Sequence, residues 1–239
     1  MMIFRQLISK TGGCVTYVLG CTQAGELIVV DPKLDMVDQV LALSEGLKMR
    51  ISYIIDTHTH ADHVSGSKKL SEITKANLYM HEATKVKFAE KVRDGELIVA
   101  GNTKIKFIHT PGHTPDSASL LITDVRRGDE PWAVLTGDTL FVGTVGRIDI
   151  VGENAAERLF ESLQRLKTLP DYVEVYPAHI SGSVCGFGLS GKPSSTIGFE
   201  RRYNTLFRLE DKEKFVNNLR SAKAYRPKEF DDNIRMNLG

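Results

Sequence analysis

Short apolar runs ending in polar clusters recur along the chain. "VTYVLG" and "ELIVVD" are β-rich and are separated by "CTQAG", whose Gly25 suits a turn; they predict an antiparallel pair. From Asp35 the period lengthens, and Val37, Val40, Leu41, Ser44 and Leu47 share one helical face. "RISYIID" reads as a buried strand whose carboxyl end delivers a histidine cluster to a loop. Helical spacing returns over residues 64–73, with Gly66 early in it. "ANLYMH" is a predicted strand and "EATKVKFAEKV" a predicted helix, followed by strands at "GELIVA", "TKIKFIHT", "SASLLITD" and, after the turn-rich "RRGDEP", "WAVLTGD". Residues 154–167 carry Ala156, Leu159, Phe160, Leu163 and Leu166 at amphipathic spacing, and "VEVYPAH" is a last short strand. The Gly- and Ser-rich "SGSVCGFGLSGKPSS" is a loop leading into a helix capped by Ser194 or Ser195. "TIGFERRYNTLF" and "LEDKEKFVNNLRSA" read as closing helices.

This order fits neither an alternating parallel sheet nor an all-β sandwich. Two sheets packed together with helices outside satisfy it. No convincing linker divides the chain, so one domain over residues 1–239 is expected, with a helical extension from about residue 205.

Composition narrows the function classes. The chain has 239 residues, 41% hydrophobic and 26% charged, ordinary values for a globular protein. A net charge of +1 gives no electrostatic case for nucleic acid or an anionic membrane. No apolar stretch approaches the roughly 20 residues needed to cross a bilayer, and "MMIFRQLISKTGG" lacks the features of a signal peptide. Cys14, Cys21 and Cys185 are an odd count without a CxxC pair, which argues against a disulfide framework and for a reducing cytoplasm. Cys14 and Cys21 fall on predicted strands and read as small core residues.

The chemistry sits where apolar runs end. "DTHTHADHVSG" places His58, His60, Asp62 and His63 within six positions. His113 follows "IKFI", Asp138 follows "WAVL" and His179 follows "VEV". Imidazole and carboxylate are ligands for zinc and iron, and a shared dication turns their crowding into an attraction. Isolated histidines such as His81 and His109 read as hydrogen-bonded structural residues.

"HTHADH", "HTPGHT", "TGDTLF" and "YPAH", in this order, resemble the metallo-β-lactamase superfamily over roughly residues 3–205. The resemblance implies an α+β fold, a four-layer αββα sandwich with a metal site at one edge. A dinuclear zinc or iron version would use His58, His60, His113 and Asp138 for one ion. Asp62, His63 and His179 would take the second, with Asp138 bridging. "IFRQLISKTGGCVTYVLG", "GTVGRIDI" and "YPAHISGSVCGFGLSGKPSSTIGFERRYN" resemble the persulfide dioxygenase branch, in particular bacterial enzymes often fused to rhodanese domains. That branch implies one Fe(II) per chain on His58, His113 and Asp138, with His60, Asp62, His63 and His179 around it. It implies a small-molecule persulfide such as glutathione persulfide, with O2, as substrates. A separate rhodanese-type sulfurtransferase is an expected partner, and a homo-oligomer is compatible with the family. The Tyr that some relatives carry two positions past "YPAH" is Ser181 here.

The alternative is a glyoxalase II-like thioester hydrolase with two metals. A third reading is a non-catalytic sulfur carrier or sensor using Cys185. Cys185, in the Gly-rich loop, is the candidate for accepting or relaying a persulfide sulfur, for which its thiolate must be accessible; the opposite reading is an inert buried thiol. Arg147 suits a substrate carboxylate or an ion pair with Asp149, and Arg201 suits an anionic thiol or a solvated helix face. "SGKPSSTIG" lacks P-loop spacing.

Overall fold

The computed structural model describes residues 1–239 apart from Val151, Phe187, Lys223 and Ala224. It contains two six-stranded sheets. The first is built from β1 (Met2–Ile8), β2 (Val15–Cys21), β3 (Glu26–Val30), β4 (Arg50–Ile55), β5 (Asn77–His81) and β6 (Glu90–Val92), side by side in chain order. The second runs β12 (Ser195–Thr196), β11 (Glu174–Pro177), β10 (Ala133–Gly137), β9 (Ala118–Asp124), β8 (Thr103–His109), β7 (Leu97–Ala100). Both are mixed, with parallel pairs at β3–β4, β4–β5, β5–β6 and β10–β11.

Alternating side chains fill the space between the sheets. Tyr17, Leu19, Ile28, Val30 and Ile55 come from the first sheet and meet Ile105, Phe107, Leu120, Ile122 and Leu135 from the second. The outer face of the first sheet is covered by α1 (Val37–Leu47) and α2 (Ser67–Thr74) through Val37, Val40 and Leu70. The outer face of the second is covered by α3 (Ala155–Lys167), α4 (Ile197–Tyr203) and α5 (Lys212–Ser221) through Leu159, Leu163, Ile197 and Phe215. Strand β2, buried at every position, is apolar on both faces for this reason. The arrangement is the four-layer αββα sandwich. A sixth helix, α6 (Glu229–Leu238), packs through Phe230 against Ala61 and Ile150. Among the described residues no helix is long and apolar enough to cross a membrane.

Three local expectations need correction. Residues 82–92 form no helix: the chain turns and then enters β6, pairing Met80 with Lys91, and Glu82 N–H donates to Val92 O. Sheet pairing overrides the helical period there. Helix α2 starts at Ser67 and not at residue 64, because Ser65 N–H donates to Asn237 Oδ1 and Gly66 N–H to Pro32 O. The cap of α4 is Thr196, whose hydroxyl accepts from Phe199 N–H (3.1 Å), while Ser195 is in β12 and donates to Glu200. Strand β1 has no counterpart among the sequence expectations, and α6 falls within the helical extension expected from about residue 205.

Candidate metal centre

Strand β4 delivers residues 56–66 as an irregular loop, and tertiary hydrogen bonds fix its course. Asp31, at the end of β3 with a φ of 50°, accepts from Thr57 N–H (2.7 Å), Thr57 Oγ1 (2.8 Å) and His60 Nε2 (3.2 Å). Thr57 has one hydroxyl hydrogen, committed to Asp31, so its oxygen accepts from His58 Nδ1 (2.9 Å). That leaves a lone pair on His58 Nε2. His113 reaches the same state by donating Nδ1–H to Arg147 O (3.0 Å). Asp138, just past β10, accepts from His179 Nδ1 on Oδ1 (2.7 Å). Its Oδ2 stands 3.3 Å from His113 Nε2 and 3.7 Å from His58 Nε2. Gly146 permits this packing, since a Cβ there would lie 1.9 Å from Asp138 O.

These three atoms lie within 4.8 Å of one another, and none has a hydrogen-bond partner among the described residues. Their residues are at most 1% exposed. Buried polar atoms left unpaired cost about 1–3 kcal/mol each, and three electron-rich atoms facing one another repel. A cation among them removes both penalties, and two imidazole nitrogens with one carboxylate oxygen form a donor set suited to iron or zinc. Burial, reinforced by His60, holds the His58 pKa well below its ordinary value, and burial lowers that of His113; both imidazoles are thereby kept neutral, as ligation requires. Burial opposes ionisation of Asp138, but His179, His58 and His113 outweigh it and hold its carboxyl below the usual range.

The remaining motif residues surround this triad. His60 turns Nε2 towards Asp31 and Asp56 and leaves Nδ1 unpartnered. Asp62 Oδ2 accepts from His63 Nδ1 (3.1 Å) and His179 Nε2 (2.9 Å), leaving Asp62 Oδ1 and His63 Nε2 unpartnered. His179 therefore donates from both ring nitrogens; burial opposes its charge, but Asp138 and Asp62 raise its pKa well above the ordinary value. Burial likewise opposes protonation of His63, and the Asp62 carboxylate outweighs it, raising the pKa to about 10.

Three contributors escaped sequence reasoning. Cys14 Sγ lies 3.6 Å from Asp62 Oδ2 and 3.8 Å from His63 Nδ1, so it is more than the small core residue expected. Its signal is topological: Cys14 and His179 form a backbone bridge between the two sheets' ends. Asp31 orders the histidine loop as described. Asp116 accepts from Thr59 Oγ1 (2.6 Å) and Thr114 Oγ1 (2.7 Å), joining the loops of His58 and His113.

The expected substrate and relay residues are placed differently. Arg147 is 1% exposed; its Nε and Nη2 hold Asp149 (2.6 Å each), and Nη1 donates to Val184 O and Tyr225 O. Of its two sequence readings the ion pair is the one formed, and its contribution to the centre is the carbonyl that holds His113. Arg201 is bound to Asp171, Lys167 O and Leu169 O, a tie between α4 and the segment before β11. Cys185 groups with Asp138 and His179, but it is fully buried; burial, aided by Asp62 and Asp138, pushes its thiol well above the ordinary value. Of its two sequence readings the buried thiol is the one formed.

Asp56 gives a pH test of the loop. It accepts from Ser65 Oγ (2.9 Å) and Ser67 Oγ (2.6 Å), yet burial raises its pKa to about 6, with Asp31 adding and His60 opposing. In metal-free protein the folded state then holds a proton between about pH 4 and pH 6 that the unfolded chain has released. The stabilisation is complete below the unfolded pKa and is lost as pH rises through about 6. Asp56→Asn is expected to match the parent near pH 4 and exceed it above pH 6, by at most about 3 kcal/mol. Urea unfolding of both at these pH values checks this; a pH-independent difference contradicts it.

A family model described as the metallo-beta-lactamase superfamily matches residues 10–179. The mitochondrial persulfide dioxygenase ETHE1 of Bos taurus is 27% identical over 239 residues, covering 99% of this chain and 88% of its own. A hydroxyacylglutathione hydrolase of Nitrosococcus oceani is 31% identical over 223 residues, 82% of this chain and 81% of its own. Among solved structures, a metallo-beta-lactamase from Staphylococcus aureus superposes with a TM-score of 0.92 at 32% identity, covering 100% of this chain and 72% of that one. ETHE1 from Myxococcus xanthus superposes with a TM-score of 0.88 at 32% identity, covering 99% and 98%.

Proposed function

The chain belongs to the metallo-beta-lactamase superfamily, and we propose that within it the protein is a persulfide dioxygenase. The substrate would be glutathione persulfide or a similar small persulfide, and the metal one Fe(II) held by His58, His113 and Asp138. The reaction balances as RSSH + O2 + H2O giving RSH, sulfite and two protons. A separate sulfurtransferase of the rhodanese type would supply the persulfide.

The observation that carries this function is the extent of likeness. Similarity to the ETHE1 proteins spans 99% of the chain, and similarity to the hydroxyacylglutathione hydrolase spans 82%. The triad itself is consistent with it: two neutral imidazoles and one carboxylate make a three-ligand set.

Bound iron would supply the redox chemistry that brings dioxygen into reaction with sulfur. The chain's own residues prepare the place. Thr57 and the Arg147 carbonyl hold the two imidazoles in the tautomers that present Nε2. Asp138 contributes the triad's only negative charge, so a bound dication keeps a net positive charge that favours an anionic persulfide. His179 fixes Asp138 by its Oδ1, leaving Oδ2 directed at the imidazoles. The Asp62–His63 pair, hydrogen-bonded at 3.1 Å, is placed to hold the protons that hydrolysis of the sulfur–sulfur bond redistributes.

A thioester hydrolase of the hydroxyacylglutathione type is the second reading, favoured by the unpartnered His60 Nδ1, which suits the first ion, and by the unpartnered Asp62 Oδ1 and His63 Nε2, which suit a further zinc or iron ion. One experiment separates them: purification without oxygen, metal counting, then oxygen uptake with glutathione persulfide. One iron per chain with sulfite matching oxygen consumed is the expected result. Two metals with thioester cleavage and no oxygen uptake would overturn it.

A further inference from the structure

Helix α6 touches the metal loop in an unusual way. Its face at positions 230, 233, 234 and 237 has the i, i+3, i+4, i+7 spacing of a buried stripe. Phe230 and Ile234 supply ordinary apolar packing against Ala61 and Ile150. The other two positions are asparagines. Asn237, 8% exposed, donates from Nδ2 to His60 O (2.9 Å) and His63 O (3.0 Å) and accepts on Oδ1 from Ser65 N–H (2.8 Å). Asn233 donates to Ala61 O (2.9 Å). The carbonyls of residues 60, 61 and 63 and the N–H of residue 65 are thus held by two side chains of one helix. Apart from a backbone bridge between Ser65 and Lys33 at its end, the loop that carries His58, His60, Asp62 and His63 takes no part in a sheet or helix over these positions, so these bonds replace the pairing that regular structure would give.

The same segment reaches the second histidine. The Phe230 ring lies under the Arg147 guanidinium at 5.1 Å, and Tyr225 O accepts from Arg147 Nη1. Arg147 O in turn holds His113. Residues 225–238 therefore contact the backbone of one ligand loop directly and the anchor of another through one residue.

We infer that α6 is a positioning element of the metal centre, with Asn237 its principal positioning residue, so that docking of the helix and metal occupancy are energetically coupled. Coupling is reciprocal: the helix strengthens metal binding, and metal strengthens docking of the helix. It does not depend on which reaction the centre runs or whether it holds one ion or two. A leucine at 237 would fill a similar volume and suit the apolar stripe, yet would leave three backbone groups of the ligand loop unpaired.

The test uses Zn(II) as probe in competition with a chromophoric chelator. Asn237→Leu is expected to bind Zn(II) at least tenfold more weakly than the parent, Asn233→Leu less weakened, and Met236→Ala, altered at an exposed position, unchanged. A helix that only covers apolar surface would lower stability and leave affinity as it was. Amide hydrogen exchange on the unmodified full chain, metal-free and Zn-loaded, supplies the second measurement, with protection of residues 229–238 rising on loading. Parent-like affinity in folded Asn237→Leu, or exchange in the helix that ignores the metal, overturns the inference; should Asn237→Leu not fold, the exchange result decides. Loss of affinity without persulfide oxidation would leave the coupling standing and remove only the proposed reaction.

Discussion

Asp138→Ala is expected to abolish metal binding and turnover together. The carboxylate is fully buried and is the only charged member of the triad. Its Oδ2 is the atom about which His58 and His113 are arranged, at 3.7 and 3.3 Å. Its removal also strips His179 Nδ1 of its acceptor at 2.7 Å and leaves a charged imidazolium with one partner in place of two. Altering outer partners of a metal ligand already costs about 10–100-fold in affinity or activity, so loss of the ligand itself should exceed about a hundredfold. Asp138→Asn is the sharper control. It keeps the shape and removes the charge, and its amide can satisfy either His179 or the metal side, not both. Metal per chain by elemental analysis and oxygen uptake with glutathione persulfide should fall in parallel for both variants. Turnover that survives while the metal is lost would remove Asp138 from the centre.

The ligand motifs were legible because they obey a local rule. Apolar runs end, the chain leaves the sheet, and a polar residue stands at the exit: this singles out His58, His113, Asp138 and His179, while a shared edge of the sandwich is what the family resemblance implies. The layers were legible for a similar reason, since the strand and helix periods of the runs determine which faces must be covered. What escaped depends on contacts remote in sequence. Asn237 and Ser65 are 172 positions apart, and nothing in "DDNIRMNLG" announces a partner. Asp31 closes "IVVD" like any strand end, yet it orders the loop that follows β4. The helix expected over residues 82–92 failed where an edge pairing satisfied the same backbone groups. Arg147 and Arg201 show the limit for charged side chains: sequence supplies the guanidinium, and only the fold decides that Asp149, Asp171 and a set of carbonyls consume its hydrogens. Cys185 shows the same limit for a thiol: its Gly-rich surroundings suit an accessible or a buried group, and the fold buries it beside Asp138 and His179.

Removal of metal by a chelator should destabilise the protein far more than any surface substitution. His58 Nε2, His60 Nδ1, His113 Nε2, Asp138 Oδ2, Asp62 Oδ1 and His63 Nε2 are all buried without partners among the described residues. Each such atom costs about 1–3 kcal/mol when desolvated and unpaired, so this end of the sandwich carries a standing penalty in the metal-free fold. An ion present at about a thousand times its dissociation constant adds ~4 kcal/mol to the folded state. For a chain of this size each kilocalorie moves the melting temperature by about 2–4 °C. Chelation is therefore expected to lower Tm by ~10 °C, read by calorimetry on the same preparation before and after treatment and again after metal is restored. The loss should be much smaller in Asp138→Ala, which has little bound metal to surrender. The size of the effect also bears on the number of ions: a second ion on Asp62 and His63 would restore Tm in two stages during a metal titration, and a lone ion on the triad in one. A chelated protein that melts where the loaded protein does would mean that these atoms are satisfied without a cation, and the metal centre would have to be given up.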